Sequence, residues 1–258
     1  MAKTVSIIGL ESVPLVKKGD NLADLIISAA RNEKVALSDG DIVVVTHKVV
    51  SKAEGRIVNL RDVTPSARAQ QVSKTAQRDP RLVELVLNES KRVVKASSQI
   101  LIVENRQGFI CINAGVDKSN VQGVDAYALL PLDSDMSARR IRSEIKRSTG
   151  KNVGVVICDT YSRPLRRGQV QFAVGAAGVG LFRDYRGKKD LFGYVLKVKN
   201  SAIADEIASA AELVMGQGAE AVPVAIVKDS CGVGATRDSS ASELLISEQE
   251  DLFKGILP

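Results

Sequence analysis

At 258 residues the chain is long enough for one large or two small hydrophobic cores, and 45% hydrophobic with 26% charged residues is the composition of an ordinary globular protein. Its longest apolar runs are strand-sized, far short of the ~20 residues of a membrane-spanning helix, so no membrane partner is expected. A formal net charge of +6 favours anionic partners, but 3% aromatics and no tryptophan leave no stacking platform for nucleic acid, so small anions such as nucleotides fit better.

Cys111, Cys158 and Cys231 are odd in number and widely spaced, which argues against a disulfide framework or a zinc site and for a reducing cytoplasm. The opening Met-Ala-Lys-Thr runs directly into a strand pattern without the apolar core of a secretory signal.

In chain order, residues 4–10 read as a strand, and 21–32 as a helix with Leu22, Leu25, Ile26 and Ala29 at helical spacing. Gly40-Asp41 turns into a strand at 42–46, which opens onto the basic stretch "HKVVSKAEG". Residues 65–77 and 80–91 read as helices, each with proline near its first position. Strands at 100–104 and 109–113 are joined through "NRQG", a hairpin signal. The charged amphipathic stretch 137–148 reads as a helix stopped by Gly150, and 153–158 as a buried strand. Residues 169–180, rich in alanine, glycine and valine, predict close backbone approach. A strand at 194–198, a helix at 203–215, a strand at 222–227 and a helix at 240–256 complete the chain. With no repeat and no linker, the expectation is a mixed α/β (α+β) fold, mixed sheets with flanking helices, in a single domain over residues 1–258, divisible at most into two subdomains.

Four stretches place polar groups at strand ends, where open α/β sheets bind ligands. In the first, "THKVVSKAEGR", Thr46, His47, Lys48 and Lys52 follow a strand, and the lysines with backbone amides can hold phosphate oxygens; a solvated basic turn is the plainer reading. The second, "INAGVDKSN", offers Asp117, Ser119 and Asn120, hard oxygens suited to Mg²⁺ or Mn²⁺ and equally the makings of a local Asx turn.

The third, "VVICDTYSRPLRRG", delivers Asp159 and Thr160 at a strand end, where a second carboxylate can face the same metal. Arg163, Arg166 and Arg167 beyond it suit carboxylate or phosphate capture, or else surface salt bridges. The fourth, "MGQGAEAVP", is a glycine-bounded turn that says little alone. No Walker-type GxxxxGK[ST] is present, and "GAAGVG" lacks the following acid of a dinucleotide fingerprint. His47 is the only histidine, which disfavours zinc triads and Ser-His-Asp catalysis, whereas two aspartates among lysines and arginines suit metal-assisted phosphoryl chemistry.

Together "VPLVKKGDNLADLI", "GDIVVVTHKVVSKAEGR", "INAGVDKSNV", "GVVICDTYSRPLRRGQVQFAVGAAG", "GKKDLFG" and "ADEIASAAELVMGQGAEAVPVAIV" make the chain resemble the coenzyme F-420-0:L-glutamate ligase family over roughly residues 12 to 228. The resemblance implies a mixed α/β fold forming an intertwined homodimer. It implies an enzyme that uses GTP and Mg²⁺ or Mn²⁺, with K⁺ a further candidate ion, to join L-glutamate to F-420-0, releasing GDP and phosphate. It places metal ligands on Asp117, Asp159, Thr160 and Gln217.

Nucleotide positions fall on Ser12, Val13, Pro14 and Leu15, on His47, Lys48, Lys52 and Asn120, and on the turn Met215, Gly216, Gln217, Gly218, Ala219, Glu220, Ala221 and Val222. The expected catalytic set is Asp117 and Asp159 beside the triphosphate, with Arg163, Arg166 and Arg167 gripping the anionic acceptor. Gln217 stands where some relatives carry glutamate, and Ser162 where many carry glycine. The alternatives are a ligase or phosphotransferase with another acceptor, and a nucleotide-binding protein without turnover.

Overall fold

The apolar runs assemble into sheets in a computed structural model that describes residues 3–163, 165–229, 239–247 and 249–251. The first part of the chain gives β1 (Ser6–Gly9), α1 (Leu22–Asn32), β2 (Ile42–Thr46), α2 (His47–Ala53), β3 (Ile57–Asn59), α3 (Ala67–Ala76) and α4 (Pro80–Asn88). The middle gives β4 (Ser90–Ser97), β5 (Ile100–Asn105), β6 (Ile110–Ile112), β7 (Ala126–Ala128) and α5 (Ser134–Thr149). The last part gives β8 (Gly154–Ser162), β9 (Gln169–Ala177), β10 (Phe182–Asp184), β11 (Asn200–Ala202), α6 (Ile203–Met215) and β12 (Val224–Lys228).

The main sheet runs β1-β12-β2-β8-β9 and is antiparallel except for β2 and β8. Its strands read as continuous apolar runs because both faces are covered. Val43, Val45, Val155, Ile157, Val224 and Ile226 pack on one face against Ile26 of α1 and Ile141 and Ile145 of α5. The alternate residues Ile42, Val44, Val156, Cys158, Ala225 and Val227 pack on the other face against α6. Alanines 204, 208 and 211 of α6 meet Ala173 and Ala176 of β9, so small residues on both sides draw helix and strand together. A Cβ at Gly175 would lie 2.5 Å from the Ser134 carbonyl, which fulfils the expected close approach in this stretch. Opposite it the β8–β9 register slips, with Ile157 facing Gly175 but Cys158 facing Ala173, the mark of a bulge in β9.

A second, smaller core forms where α3 and α4 cover the sheet β4-β5-β6, with Leu82, Val83 and Val86 packed on Leu101 and Val103. The ribbon β3-β7 forms separately, and β10 pairs with β11.

Four sequence expectations are corrected. "HKVVSKA" is the helix α2, with His47, Val49, Val50 and Ser51 buried, rather than a basic turn. The helix expected to reach residue 91 stops at Asn88, and Ser90 begins β4, whose residues, none of them buried, carry little hydrophobic period. The strand expected at 194–198 reduces to one bridge between Lys189 and Val195; the paired segment is β11. Of the helix expected at 240–256, the described part is a 3₁₀ turn, Ala241–Leu244, closed by a Ser240–Glu243 capping box, with Leu245 extended after it; residues 248 and 252–256 lie outside the described residues, as does Cys231. The mixed α/β expectation itself agrees with the structure.

Candidate active site

The parallel register sets the site. Thr46 of β2 lies opposite Cys158 of β8, so the residues that follow, His47 and Asp159, emerge side by side. After Thr46 the chain turns into α2, whereas β8 continues to Ser162, with Asp159 paired to Phe172. Asp159 was expected at a strand end; it stands within a longer strand because β9 keeps pairing there. His47 is 1% and Asp159 8% exposed, and His47 Nε2 stands 3.2 Å from Asp159 Oδ1. That distance is within ion-pair range, yet the N–H direction misses the oxygen, and neither ring nitrogen makes a hydrogen bond. Asp159 Oδ1 instead accepts the Thr160 amide at 2.7 Å.

The next residue along α2 reaches the second aspartate. Lys48 Nζ lies 2.7 Å from Asp117 Oδ2 and also donates to the Ser119 hydroxyl. Asp117 accepts from the Ser119 amide and hydroxyl at 2.7 and 2.9 Å, so the local Asx turn is real and the carboxylate is also ion-paired. Burial alone would push the Asp117 carboxyl up, but Lys48 and the Ser119 bonds hold it below the ordinary carboxylate range. One turn on, Lys52 donates to the Asn120 carbonyl at 2.8 Å, and the Asn120 amide donates to the Gly218 carbonyl at 3.0 Å. Burial, and then the charge of Lys48, lower the Lys52 pKa. Two lysines on one helix face, Lys52 with its ammonium disfavoured by burial and by Lys48, call for an anion.

The turn after α6 closes the opposite wall. Gln217 donates from Nε2 to Glu212 Oε1 at 2.6 Å and accepts from Thr160 Oγ1 at 3.1 Å. Glu220 folds back to accept the Gly218 amide at 2.7 Å. Gly216 has φ +69 and ψ −178, a region open essentially to glycine, and Ala221 is left-handed at φ +57. The resulting cleft of about 360 Å³ is lined by Val13, Pro14 and Leu15, by His47, Lys48, Lys52 and Asn120, by Asp159 and Thr160, and by the whole turn from Met215 to Val222.

Of the sequence-predicted nucleotide residues, Ser12 does not line the cleft. Its amide and hydroxyl bond Glu33 at 2.7 and 2.6 Å, tying the 12–15 segment to the end of α1. Asp117 is outside the lining but joined to it through Lys48. Arg163, Arg166 and Arg167 occupy the β8–β9 hairpin tip and do not line the cleft; Arg163 donates to the Arg167 carbonyl at 3.2 Å, and Arg166 and Arg167 are exposed. Sequence reasoning passed over Gln171, which lines the cleft from β9, and Glu212, which holds Gln217. The signal for Glu212 was its place on the α6 face that also carries Asp205 and Ser209, all three bonded to the β9 backbone.

Asp159, Thr160 and Gln217 present carboxylate, hydroxyl and amide oxygens, the hard donors that Mg²⁺ or Mn²⁺ takes. Among the described residues no three His, Cys, Asp or Glu side chains converge, so a metal here would complete its shell with phosphate oxygens and water. Cys111 and Cys158 are buried free thiols and both are pushed up by burial and then by Asp159, Cys111 to about 12, so neither is a thiolate nucleophile.

A family model described as F420-0:gamma-glutamyl ligase matches residues 11–229. The chain is 42% identical over 252 residues to the coenzyme F420:L-glutamate ligase of Methanothermobacter thermautotrophicus, covering 97% of this chain and 99% of the relative. It is 42% identical to the protein of the same name from Archaeoglobus fulgidus, over 98% of each chain. The one from Methanocaldococcus jannaschii is 40% identical, again over 98% of each.

Proposed function

The chain belongs to the F420-0:gamma-glutamyl ligase family and is a ligase enzyme, and on that premise we propose that it joins L-glutamate to coenzyme F-420-0 at the expense of GTP. The observation that carries this reading is the convergence on one cleft of two helix-borne lysines, a buried aspartate with hard oxygen neighbours, and a strained glycine turn. The apolar 13–15 segment and the 215–222 turn would flank the guanine and ribose. Lys48 and Lys52 would meet the phosphates, exchanging Asp117 and the Asn120 carbonyl for phosphate oxygens.

Asp159, Thr160 and Gln217 would hold Mg²⁺ or Mn²⁺, with Asp117 joining once Lys48 turns to the nucleotide. When bound, the metal offsets triphosphate charge. The γ-phosphoryl group would pass to the acceptor carboxylate, giving an acyl phosphate and GDP. The amine of glutamate then attacks the acyl carbon, inorganic phosphate leaves, and the amine proton passes to solvent. Arg163, Arg166 and Arg167, at the hairpin tip beyond β8, are assigned to the anionic acceptor. K⁺ is a further ion to vary in assay.

We also assign a cytoplasmic enzyme and a homodimer. No described helix is long and apolar enough to cross a membrane. The dimer assignment is supported by Leu191 and Phe192, 96% and 95% exposed, and is checked by sedimentation.

Incubation with GTP, Mn²⁺ or Mg²⁺, L-glutamate and F-420-0 is expected to yield GDP, phosphate and a product heavier by one glutamyl unit. GDP without that product would move the reading to another acceptor, and nucleotide binding without GDP would remove the ligase step altogether.

A further inference from the structure

His47 is the unexplained residue of the cleft. Its ring is 1% exposed, and both ring nitrogens lack a hydrogen bond although they are inaccessible to solvent. Buried unpaired polar atoms are rare in folded proteins and mark a missing partner. The ring is not simply filling space, because Nε2 is brought to 3.2 Å from Asp159 Oδ1 by the β2–β8 register, without the angle a hydrogen bond needs. A ring nitrogen and a carboxylate oxygen thus stand within contact distance with no hydrogen bond between them, two atoms that can each ligate a cation placed beside both.

The spacing fits such a cation. Neighbouring ligands of an octahedron with bonds of ~2.1 Å stand about 3.0 Å apart. His47 Nε2 and Asp159 Oδ1 are 3.2 Å apart, and Thr160 Oγ1 and Gln217 Oε1 are 3.1 Å apart. All four residues line the same cleft.

We propose that His47 Nε2 is an inner-sphere ligand of the divalent metal, beside Asp159, and that this nitrogen makes the site prefer Mn²⁺ and similar transition ions to Mg²⁺. The inference rests on the metal-nucleotide reading of the cleft and deepens it. The preference follows from ligand chemistry: imidazole suits first-row transition ions, while Mg²⁺ takes oxygen and dehydrates reluctantly. His47 thereby serves the metal through its side chain, and Lys48, the next residue, is left to the phosphates.

Because His47 is the only histidine of the chain, labelling untagged protein with ¹⁵N-histidine reports on this one ring. Pulsed electron paramagnetic resonance on the Mn²⁺–GDP complex is expected to show a directly bound imidazole nitrogen whose modulation changes from the ¹⁴N to the ¹⁵N pattern on labelling. By calorimetry, His47→Gln is expected to lose roughly tenfold in Mn²⁺ affinity and much less in Mg²⁺ affinity. Stoichiometric Mn²⁺ with no label-dependent nitrogen modulation overturns the inference and leaves the metal-nucleotide reading standing. Failure of the wild-type protein to bind Mn²⁺ in the presence of GDP overturns both. The label experiment needs no variant, so it decides the question even where His47→Gln fails to fold.

Discussion

Gln217→Glu is expected to change sign with metal. In the structure the Gln217 amide donates to Glu212 at 2.6 Å and its oxygen receives the Thr160 hydroxyl at 3.1 Å. Replacing the amide with a carboxylate removes the donor, a loss of about 1 kcal/mol for a hydrogen bond on an exposed pair. It also sets two carboxylates against each other, about 1 kcal/mol more in a water-like dielectric. For a chain of this length each 1 kcal/mol moves the melting temperature by roughly 2–4 °C, so the metal-free variant should melt about 4–8 °C below the wild type. With GDP and saturating Mn²⁺ the new carboxylate becomes the stronger ligand, and binding linkage should shrink or reverse the gap. Thermal melts with GDP, with and without Mn²⁺, read both halves. An equal deficit in both conditions would refute the placing of the Gln217 oxygen toward metal, and no deficit without metal would refute the importance of the Glu212 bond.

Two further variants test the electrostatics. Lys52→Met removes an ammonium already disfavoured by burial and by Lys48, so metal-free stability should hold while GDP affinity falls roughly 10- to 100-fold, the loss expected of a charge-assisted bond; calorimetry showing unchanged affinity would take Lys52 out of the phosphate site. Asp205 is held above its ordinary value of 3.8 by burial, although its Oδ1 accepts the Ala173 amide at 2.9 Å. The folded chain therefore binds the extra proton just above pH 3.8, and stability falls as pH rises through that window, with the full penalty present at neutral pH. Asp205→Asn keeps the acceptor and removes the charge, so urea unfolding should show its advantage over wild type growing from pH 4 to pH 7; a gap independent of pH would refute the assignment.

Strand β2, buried on both faces, was legible at 42–46 because it leaves an apolar run, and helix α6 at 203–215 because its buried residues recur at helical spacing; both match at both ends. The edge strand β4 was not, because none of its residues is buried and its stability comes from pairing with β5, which local sequence does not encode. Helix α2 was hidden by its lysines. It has no side-chain N-cap, and its buried face of Val49, Val50 and Ala53 is too short for a clear period. At the site, the nucleotide positions carried over by resemblance converge on one cleft, all but Ser12 lining it. The arginines read as a cluster because they are adjacent in sequence, yet they stand at a hairpin tip outside the cleft lining, Arg166 and Arg167 exposed and Arg163 folded back onto the Arg167 carbonyl. His47 looked like one member of a basic turn; only the pairing of two strands distant in sequence shows that its ring turns inward.

That pairing also explains why the site combines rigidity with exchangeable parts. Asp159 sits on backbone paired to Phe172 of β9, one residue past the last β2–β8 pair, in a strand rooted in a sheet whose faces are both covered, and the β8–β9 bulge lies just before it. A carboxylate on such a strand cannot follow a moving ligand; the ligand must come to it. Lys48 is held by Asp117 and Ser119, Lys52 by the Asn120 carbonyl, and Asn120 by Gly218 of the 216–221 turn, contacts that a phosphate oxygen or a metal can replace. On the proposed function, the Lys48–Asp117 pair would keep a cation on the second carboxylate until a nucleotide offered the lysine a better anion. The order that this predicts is nucleotide first, releasing Asp117, and full metal coordination second. Mn²⁺ affinity should therefore rise when GDP is present, and by linkage GDP affinity should rise equally when Mn²⁺ is present.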